Sequence, residues 1–249
     1  KDMRFAINSN MCPETPKVLN KLIEQSWHVP NLEIYTSMEA TGKQAEYIRD
    51  GLDYDEWMSN IHRVLKEANL TKLHMMMTIN SLCLDSITEF LDEMLDLREQ
   101  YGTRAPTLSL NILRFPSFQS NAILPDDIKS IYKDKLDIWY KSARPQKMLH
   151  DGEKASVARL IDYLDIIKTP HKNTADKEKL HNDFRAFFAQ YDIRRGKNFV
   201  ETFPGPLAEW FESLTSEIPT AEKILSKELV LTVSDTAVDP KTTETYIDQ

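Results

Sequence analysis

Strand-like and helix-like segments alternate four times in the first 141 residues, and this alternation constrains the fold more than any other feature of the sequence. Short β-branched or apolar runs are each followed by a longer stretch with apolar residues at helical spacing. The predicted strands are residues 4–7, 32–36, 73–79 and 107–113, and the predicted helices are residues 16–25, 55–67, 84–101 and 125–141. This order predicts an α/β fold with a parallel sheet, either a barrel or a doubly wound sheet.

Beyond residue 145 the strand signals stop and helical patterns continue. Residues 153–168 and 176–190 have helical spacing, a basic turn is expected at residues 191–197, and a short helix is expected to end near Leu214. From residue 226 the chain is polar and lacks helical periodicity. We therefore expect a partial barrel over residues 1–145, a small helical extension over 146–225 and a flexible polar tail over 226–249.

Composition excludes several classes of function. A net charge of −8 argues against broad binding to nucleic acids or anionic membranes. The 6 glycines form neither the dinucleotide-binding fingerprint nor the phosphate loop. Cys12 and Cys83 are far apart, as expected in a reducing compartment, and no apolar run approaches the roughly 18 residues of a membrane span. We expect a cytoplasmic location.

Polar side chains follow each of the four predicted strands. Ligand sites of α/β proteins lie at the carboxyl ends of the strands, so these side chains are candidate ligand contacts. The alternative is that they only form turns, since polar residues are common there. The candidates are Asn8 and Asn10 after the first strand, Ser37 and Glu39 after the second, Asn80 after the third, and Arg114 and Ser117 after the fourth.

Several of these segments, taken in order, resemble the radical S-adenosylmethionine (SAM) family. They are residues 32–61, the strand that runs into Thr78-Ile79-Asn80-Ser81-Leu82, residues 111–120, and residues 191–197 with Phe203-Pro204. The similarity covers most of residues 4–214 and rests on the ordered combination. The nearest subgroup is the one with a short, "twitch"-type C-terminal extension.

The resemblance implies a partial (β/α)6 barrel, of which this chain would supply about four βα units. The family's C-x3-C-x2-C loop, which holds a [4Fe-4S] cluster, and its Gly-Gly-Glu-like motif for the SAM amino group are absent from this sequence. Residues 4–10 would correspond to the third strand, which places the missing elements upstream of Lys1. Cluster ligation requires closely spaced thiolates, so we expect the isolated chain to be an inactive fragment. An auxiliary cluster is not expected, because no cysteine follows Cys83.

The resemblance also assigns residue roles. Ser37 and Glu39 match the position that contacts the SAM ribose and methionine moiety, and Arg49 matches an arginine that pairs with the SAM carboxylate. The alternative for Arg49 is a surface ion pair with a nearby aspartate. Asn8 and Asn10 match the polar end of the third strand and Asn80 that of the fifth, while Arg114 and Ser117 lie at the end of the sixth, where the family contacts adenine.

The leading hypothesis is therefore a fragment of a radical SAM enzyme. The complete protein would generate a 5′-deoxyadenosyl radical that takes hydrogen from a peptide or small-molecule substrate, with a flavodoxin or ferredoxin as reductant. A second hypothesis is a non-catalytic α/β module that binds a peptide or nucleotide. A third, another barrel enzyme such as an aldolase or hydrolase, is disfavoured because no lysine lies at the four strand ends. The exposed sheet edge beside residues 4–7 predicts poor solubility.

Overall fold

A computed structural model describes residues 3–167 and 174–214 and contains a four-stranded parallel sheet. The strands are β1 (Phe5–Asn8), β2 (Leu32–Ser37), β3 (Lys72–Ile79) and β4 (Thr107–Ile112), and they lie side by side in the order β1-β2-β3-β4. The predicted α/β class and the parallel sheet are confirmed. This sequential order has no reversal among the four strands, as in the wall of a barrel, but the partial (β/α)6 barrel stays a prediction.

Helices connect the strands and continue after the last one. Their bounds are α1 (Pro16–Ser26), α2 (Gly42–Ile48), α3 (Tyr54–Glu67), α4 (Ile87–Tyr101), α5 (Asp126–Lys141), α6 (Ala143–Met148), α7 (Asp151–Ile166), α8 (Thr174–Arg195), α9 (Phe199–Thr202) and α10 (Pro206–Ser213). The expected basic turn at residues 191–197 is wrong for residues 191–195, because α8 continues to Arg195. The turn begins at Gly196, whose φ of +62° suits a glycine after a helix end.

One face of the sheet forms the core. Leu73, Met75 and Met77 of β3 are buried on this face, since alternate residues of a strand point the same way. Trp57 and Phe90, on the helices that flank β3 in sequence, are fully buried in the same cluster. Burial of apolar side chains is worth about 1.5–3 kcal/mol each, so this layer holds the helices on the sheet.

The opposite face of the sheet is open and polar. Glu33 and Tyr35 of β2 and His74 of β3 lie on it half-buried, and Met76 is 37% exposed. Parallel sheets are generally covered on both faces, so an open face of this kind is unusual. The methionine run of β3 thus divides as its alternation predicts, with Met75 and Met77 buried and Met76 exposed.

The two edges of the sheet differ. At the β4 edge, the Leu108 N–H donates to Glu153 Oε1 at 2.9 Å and Arg159 Nη2 donates to the Leu110 carbonyl at 2.8 Å. Side chains of α7 therefore provide hydrogen-bond partners for the backbone of this edge strand. At the β1 edge, Phe5 is 48% exposed. An uncovered strand edge favours pairing with another chain. The predicted poor solubility has this physical basis and stays a prediction.

The helices after β4 pack into the same hydrophobic core as the sheet, through Phe184, Phe199 and Phe211. The predicted boundary at residue 145 stays a prediction. Residues 215–225 of the predicted extension and the predicted tail at 226–249 lie outside the described residues. Within the part of the chain that the structure describes, no helix combines the length and apolar character that crossing a membrane requires.

Candidate functional site

A cleft opens at the carboxyl edge of the sheet, beyond the ends of β1 and β2. Its volume is about 360 Å³. The residues that line it are Asn10, Cys12, Ser37, Met38, Ile48, Arg49, Asp50, Gly51 and Leu52, and we call it the Arg49 cleft. Three predicted site residues, Asn10, Ser37 and Arg49, therefore meet in one cavity, because parallel β1 and β2 end at the same edge.

Arg49 is held in this cleft by a buried ion pair. Its Nη2 lies 2.5 Å from Glu39 Oε2, and the Glu39 side chain is 3% exposed while that of Arg49 is 31% exposed. The expected alternative of a surface pair with a neighbouring aspartate is not what the structure contains. Glu39 lies behind the guanidinium and does not line the cleft, so its contact is with Arg49. Its predicted contact with the SAM ribose stays a prediction.

The environment of Glu39 shapes the charge of the site. Burial raises the pKa of the Glu39 carboxyl. The Arg49 guanidinium and the Thr78 backbone N–H lower it by a smaller amount, so the pKa lies above its ordinary value. Buried charges are stable only when they are paired, so Arg49 is a required neighbour of Glu39. Arg49 Nε is buried and has no hydrogen-bond partner among the described residues. The guanidinium thus has donor capacity beyond the ion pair.

The chain immediately after Arg49 turns sharply along the cleft wall. Gly51 has a φ of +80°, a region that glycine enters without steric cost, and the Leu52 N–H donates to the Arg49 carbonyl at 3.1 Å. Asp53 then caps α3 by accepting from the Glu56 N–H at 2.9 Å. These contacts fix the backbone on both sides of Asp50.

Asp50 ties the cleft to the helical extension. Its carboxylate lies 3.0 Å from Arg195 Nη1 and 3.5 Å from Lys197 Nζ. Next to it, Tyr47 donates to Asp192 Oδ1 at 2.7 Å, and the Tyr191 hydroxyl donates to the Tyr47 carbonyl at 2.8 Å. The basic cluster at the end of α8 is therefore used in part to dock the extension beside the Arg49 cleft.

Asn80 lies in a different place and has a structural role. Its Oδ1 accepts from the backbone N–H groups of Leu82 at 2.9 Å and Cys83 at 3.1 Å, which closes the turn after β3. It also lines a small cavity of about 100 Å³ together with Tyr47 and Phe187. The structure does not bring Asn80 into the Arg49 cleft.

The remaining predicted residues are also separate from the Arg49 cleft. Asn8 is exposed at the end of β1, opposite Tyr35. Ser117 is exposed in a short 3-10 turn that spans Ser117–Gln119. Arg114 is exposed and lines a third cavity next to α7. Their predicted roles therefore gain no support from proximity to Arg49.

A hydrogen-bonded network on the open face of the sheet was not predicted from the sequence. His74 Nδ1 lies 2.7 Å from Thr107 Oγ1, and His74 Nε2 lies 3.0 Å from Glu33 Oε2. Tyr35 stacks on His74 with ring centroids 4.3 Å apart, and Arg4 pairs with Glu33 at 2.6 Å. Although burial raises the pKa of Glu33, hydrogen bonds from His74 and Arg4 outweigh it, and the net pKa is below its ordinary value. The only signal in the sequence was the alternation of Glu33, Tyr35 and Ser37.

The described residues do not fit an iron–sulfur cluster. Burial raises the pKa of both cysteine thiols, Cys12 and Cys83, which disfavours the thiolate that binds iron. Among residues 3–167 and 174–214, no group of three or more Cys, His, Asp or Glu side chains has metal-site geometry. The Arg49 cleft does fit the amino-acid end of SAM, since it offers a guanidinium, a hydroxyl and an amide.

Comparisons of the chain with protein-family models, with curated proteins and with solved structures find no match. What the cleft binds must therefore be inferred from its own side chains.

Proposed function

We propose that this chain is the SAM-binding part of a radical SAM enzyme and that the Arg49 cleft binds the amino-acid end of SAM. The observation that carries the proposal is the buried Glu39–Arg49 pair, which fixes a guanidinium beside Ser37 and Asn10. The sequential strand order and the helical extension docked on Asp50 are in keeping with a barrel whose mouth is covered. These features agree with the resemblance without depending on it.

The main residues of the site have defined tasks in this proposal. Arg49 pairs with the ligand carboxylate, because guanidinium groups bind carboxylates through two parallel hydrogen bonds. Ser37 and Asn10 can donate to or accept from the ligand's polar groups. Glu39 keeps the guanidinium in place, and Met38, Ile48 and Leu52 supply apolar wall. SAM, when bound at a reduced [4Fe-4S] cluster, supplies hydrogen-abstraction chemistry.

The proposal also requires groups from outside this chain. The cluster thiolates must come from elsewhere, since neither Cys12 nor Cys83 fits that role. The substrate would be a peptide or a small molecule, and a flavodoxin or ferredoxin would supply the electron in the cytoplasm. The chain's own part is to bind and orient the ligand and to keep water from it.

Isothermal titration calorimetry with S-adenosylhomocysteine tests the proposal. This ligand has the same amino-acid carboxylate as SAM, and its binding can be measured without an iron–sulfur cluster. Arg49→Gln removes the charge-assisted contact, worth about 1.5–3 kcal/mol, and should weaken binding about 10- to 100-fold. Arg63→Gln is the matched control, since Arg63 is similarly exposed and pairs with Glu67 on α3. Equal affinity in the wild type and the Arg49 variant would contradict the proposal.

A second candidate function is the non-catalytic binding module for a nucleotide or peptide. Two observations favour it. The raised pKa of the cysteine thiols disfavours the thiolate that an iron–sulfur cluster needs, and the chain forms the cleft from its own residues. 5′-Methylthioadenosine has the nucleoside of SAM and lacks the carboxylate. A nucleotide module should bind it as tightly as S-adenosylhomocysteine, whereas the leading proposal requires the carboxylate.

A further inference from the structure

A second cavity lies at the carboxyl end of β4, between that strand and α7. Its volume is about 520 Å³, enough for a small organic molecule. The residues that line it are Asn111, Ile112, Arg114, Arg159, Asp162, Tyr163 and Ile166, and we call it the Arg114 cavity. None of these residues lines the Arg49 cleft, so the two cavities are separate.

Two guanidinium groups in this cavity have no carboxylate partner among the residues that the structure describes. Arg159 Nη2 donates to the Leu110 carbonyl at 2.8 Å. Within the described ranges, neither Arg159 nor Arg114 has an ion-pair contact, whereas Arg98 pairs with Glu153 at 2.7 Å and Arg144 reaches three carboxylates. In a chain with a net charge of −8, two arginines that share a cavity and form no ion pair with a described residue make a local positive site.

The rest of the cavity wall is apolar or neutral. Ile112 and Ile166 provide aliphatic surface, and Ile166 is 68% exposed. Tyr163 adds an aromatic ring. Burial raises the pKa of its hydroxyl more than the nearby Arg114 lowers it, so the hydroxyl keeps its proton and can donate a hydrogen bond. Among the lining residues that the structure describes, Asp162 is the one carboxylate, and together with Arg114 and Arg159 it gives them a net charge of +1.

We infer that the Arg114 cavity binds a small organic anion, with a phosphate or carboxylate held by Arg114 and Arg159 and a flat apolar body on Ile112, Tyr163 and Ile166. Two guanidinium groups in one cavity match a doubly charged anion, because each can form bidentate hydrogen bonds. The cavity lies at the same edge of the sheet as the Arg49 cleft, where α/β proteins bind ligands. This inference does not rest on SAM binding.

The assignment differs from the one that the family resemblance gives to Arg114. Adenine carries no negative charge, so a pair of unneutralised guanidinium groups is not needed to bind it. If Arg114 contacts adenine, its replacement must weaken the binding of S-adenosylhomocysteine. If the Arg114 cavity is a separate anion site, the same replacement must leave that binding unchanged.

Titration of the full ¹⁵N-labelled chain with phenyl phosphate, followed on the arginine Nε–H signals, tests the inference. We expect saturable shifts of the Arg114 and Arg159 signals, with affinity about tenfold higher than for inorganic phosphate because the ring contributes apolar contact. Phenol, which has the ring without the charge, should not bind. Raising the salt concentration should weaken the phenyl phosphate complex.

Two variants complete the test. Arg114→Gln, on an exposed loop, should reduce phenyl phosphate affinity about tenfold or more while circular dichroism confirms the fold. Arg159→Lys retains the positive charge and a donor for the Leu110 carbonyl, so the variant should fold. It lacks the planar guanidinium that forms two parallel hydrogen bonds, so it should still bind phenyl phosphate more weakly. Unchanged affinity in both variants, absence of saturable binding, or weaker S-adenosylhomocysteine binding in Arg114→Gln would overturn the inference.

Discussion

Removal of the Arg49 charge should destabilise the protein by leaving Glu39 buried and unpaired. In Arg49→Met, the Glu39 carboxylate keeps only the Thr78 backbone N–H of the partners that oppose its burial. Breaking a buried ion pair at one partner costs about 3–5 kcal/mol, and we expect about 3 kcal/mol here because the Arg49 side chain is partly exposed, at 31%. The free energy of unfolding, measured by urea denaturation at pH 7, gives this value directly.

The pH dependence of the Arg49→Met defect identifies its cause. In the folded wild type the pKa of Glu39 already lies above its ordinary value, and loss of Arg49 raises it further. A carboxyl with a raised folded pKa stabilises the fold when it is protonated, and this stability is lost as pH rises through the folded pKa. The defect should therefore shrink between pH 7 and pH 5, by at most about 1.4 kcal/mol per pH unit.

A double variant separates this cause from a simple loss of packing. Glu39→Gln combined with Arg49→Met has no buried charge, so it should be more stable than Arg49→Met alone at pH 7. The difference in stability between this double variant and Glu39→Gln alone should also be independent of pH between 5 and 7, because neither variant carries a carboxyl at position 39. Additive effects of the two substitutions, or a defect in Arg49→Met that stays constant with pH, would refute the reasoning.

Three further predictions concern the rest of the fold. Glu153→Gln should lower the free energy of unfolding, measured by urea denaturation, by about 3 kcal/mol, because Arg98 would lose its buried partner. Hydrogen bonds from Arg98 lower the pKa of Glu153 although burial raises it. The stabilisation that the ion pair gives the wild type should therefore decrease as pH falls below about 4.5. Gly51→Ala should lower the free energy of unfolding by about 1 kcal/mol, since its φ is +80°. Phe184→Ala should lower the thermal midpoint through a loss of about 3–5 kcal/mol, because the ring is fully buried among aromatic rings of the extension. A loss below 1 kcal/mol at Phe184 would show that the extension adds little to the core.

The alternation of strands and helices could be predicted because each element has one buried side and therefore a visible period. β3 is an example, with its buried face at Leu73, Met75, Met77 and Ile79. The end of α8 could not be predicted in this way. Phe184, Phe187 and Tyr191 pack on other rings, but the last turn of the helix, Ile193 to Arg195, is exposed and has no apolar period.

Three residues that line the Arg49 cleft, Asn10, Ser37 and Arg49, were named from the sequence, but the contacts between the residues of the site were not. The corner of the chain after β2 identified Ser37 and Glu39, and the family resemblance identified Arg49, yet the sequence could not show that Glu39 is buried behind Arg49. The His74 network depends on strand register: Tyr35 lies opposite His74, and His74 lies opposite Thr107. Register arises from packing between segments more than 30 residues apart, and no local pattern encodes it.

The most direct test of the account is the preference of the wild-type chain and of Arg49→Gln for S-adenosylhomocysteine over 5′-methylthioadenosine, measured by calorimetry. The wild type should bind the carboxylate-bearing ligand at least about tenfold more tightly, and Arg49→Gln should remove the preference. If both ligands bind the wild type equally, or if the preference survives in Arg49→Gln, then the Arg49 cleft is not a site for the amino-acid end of SAM.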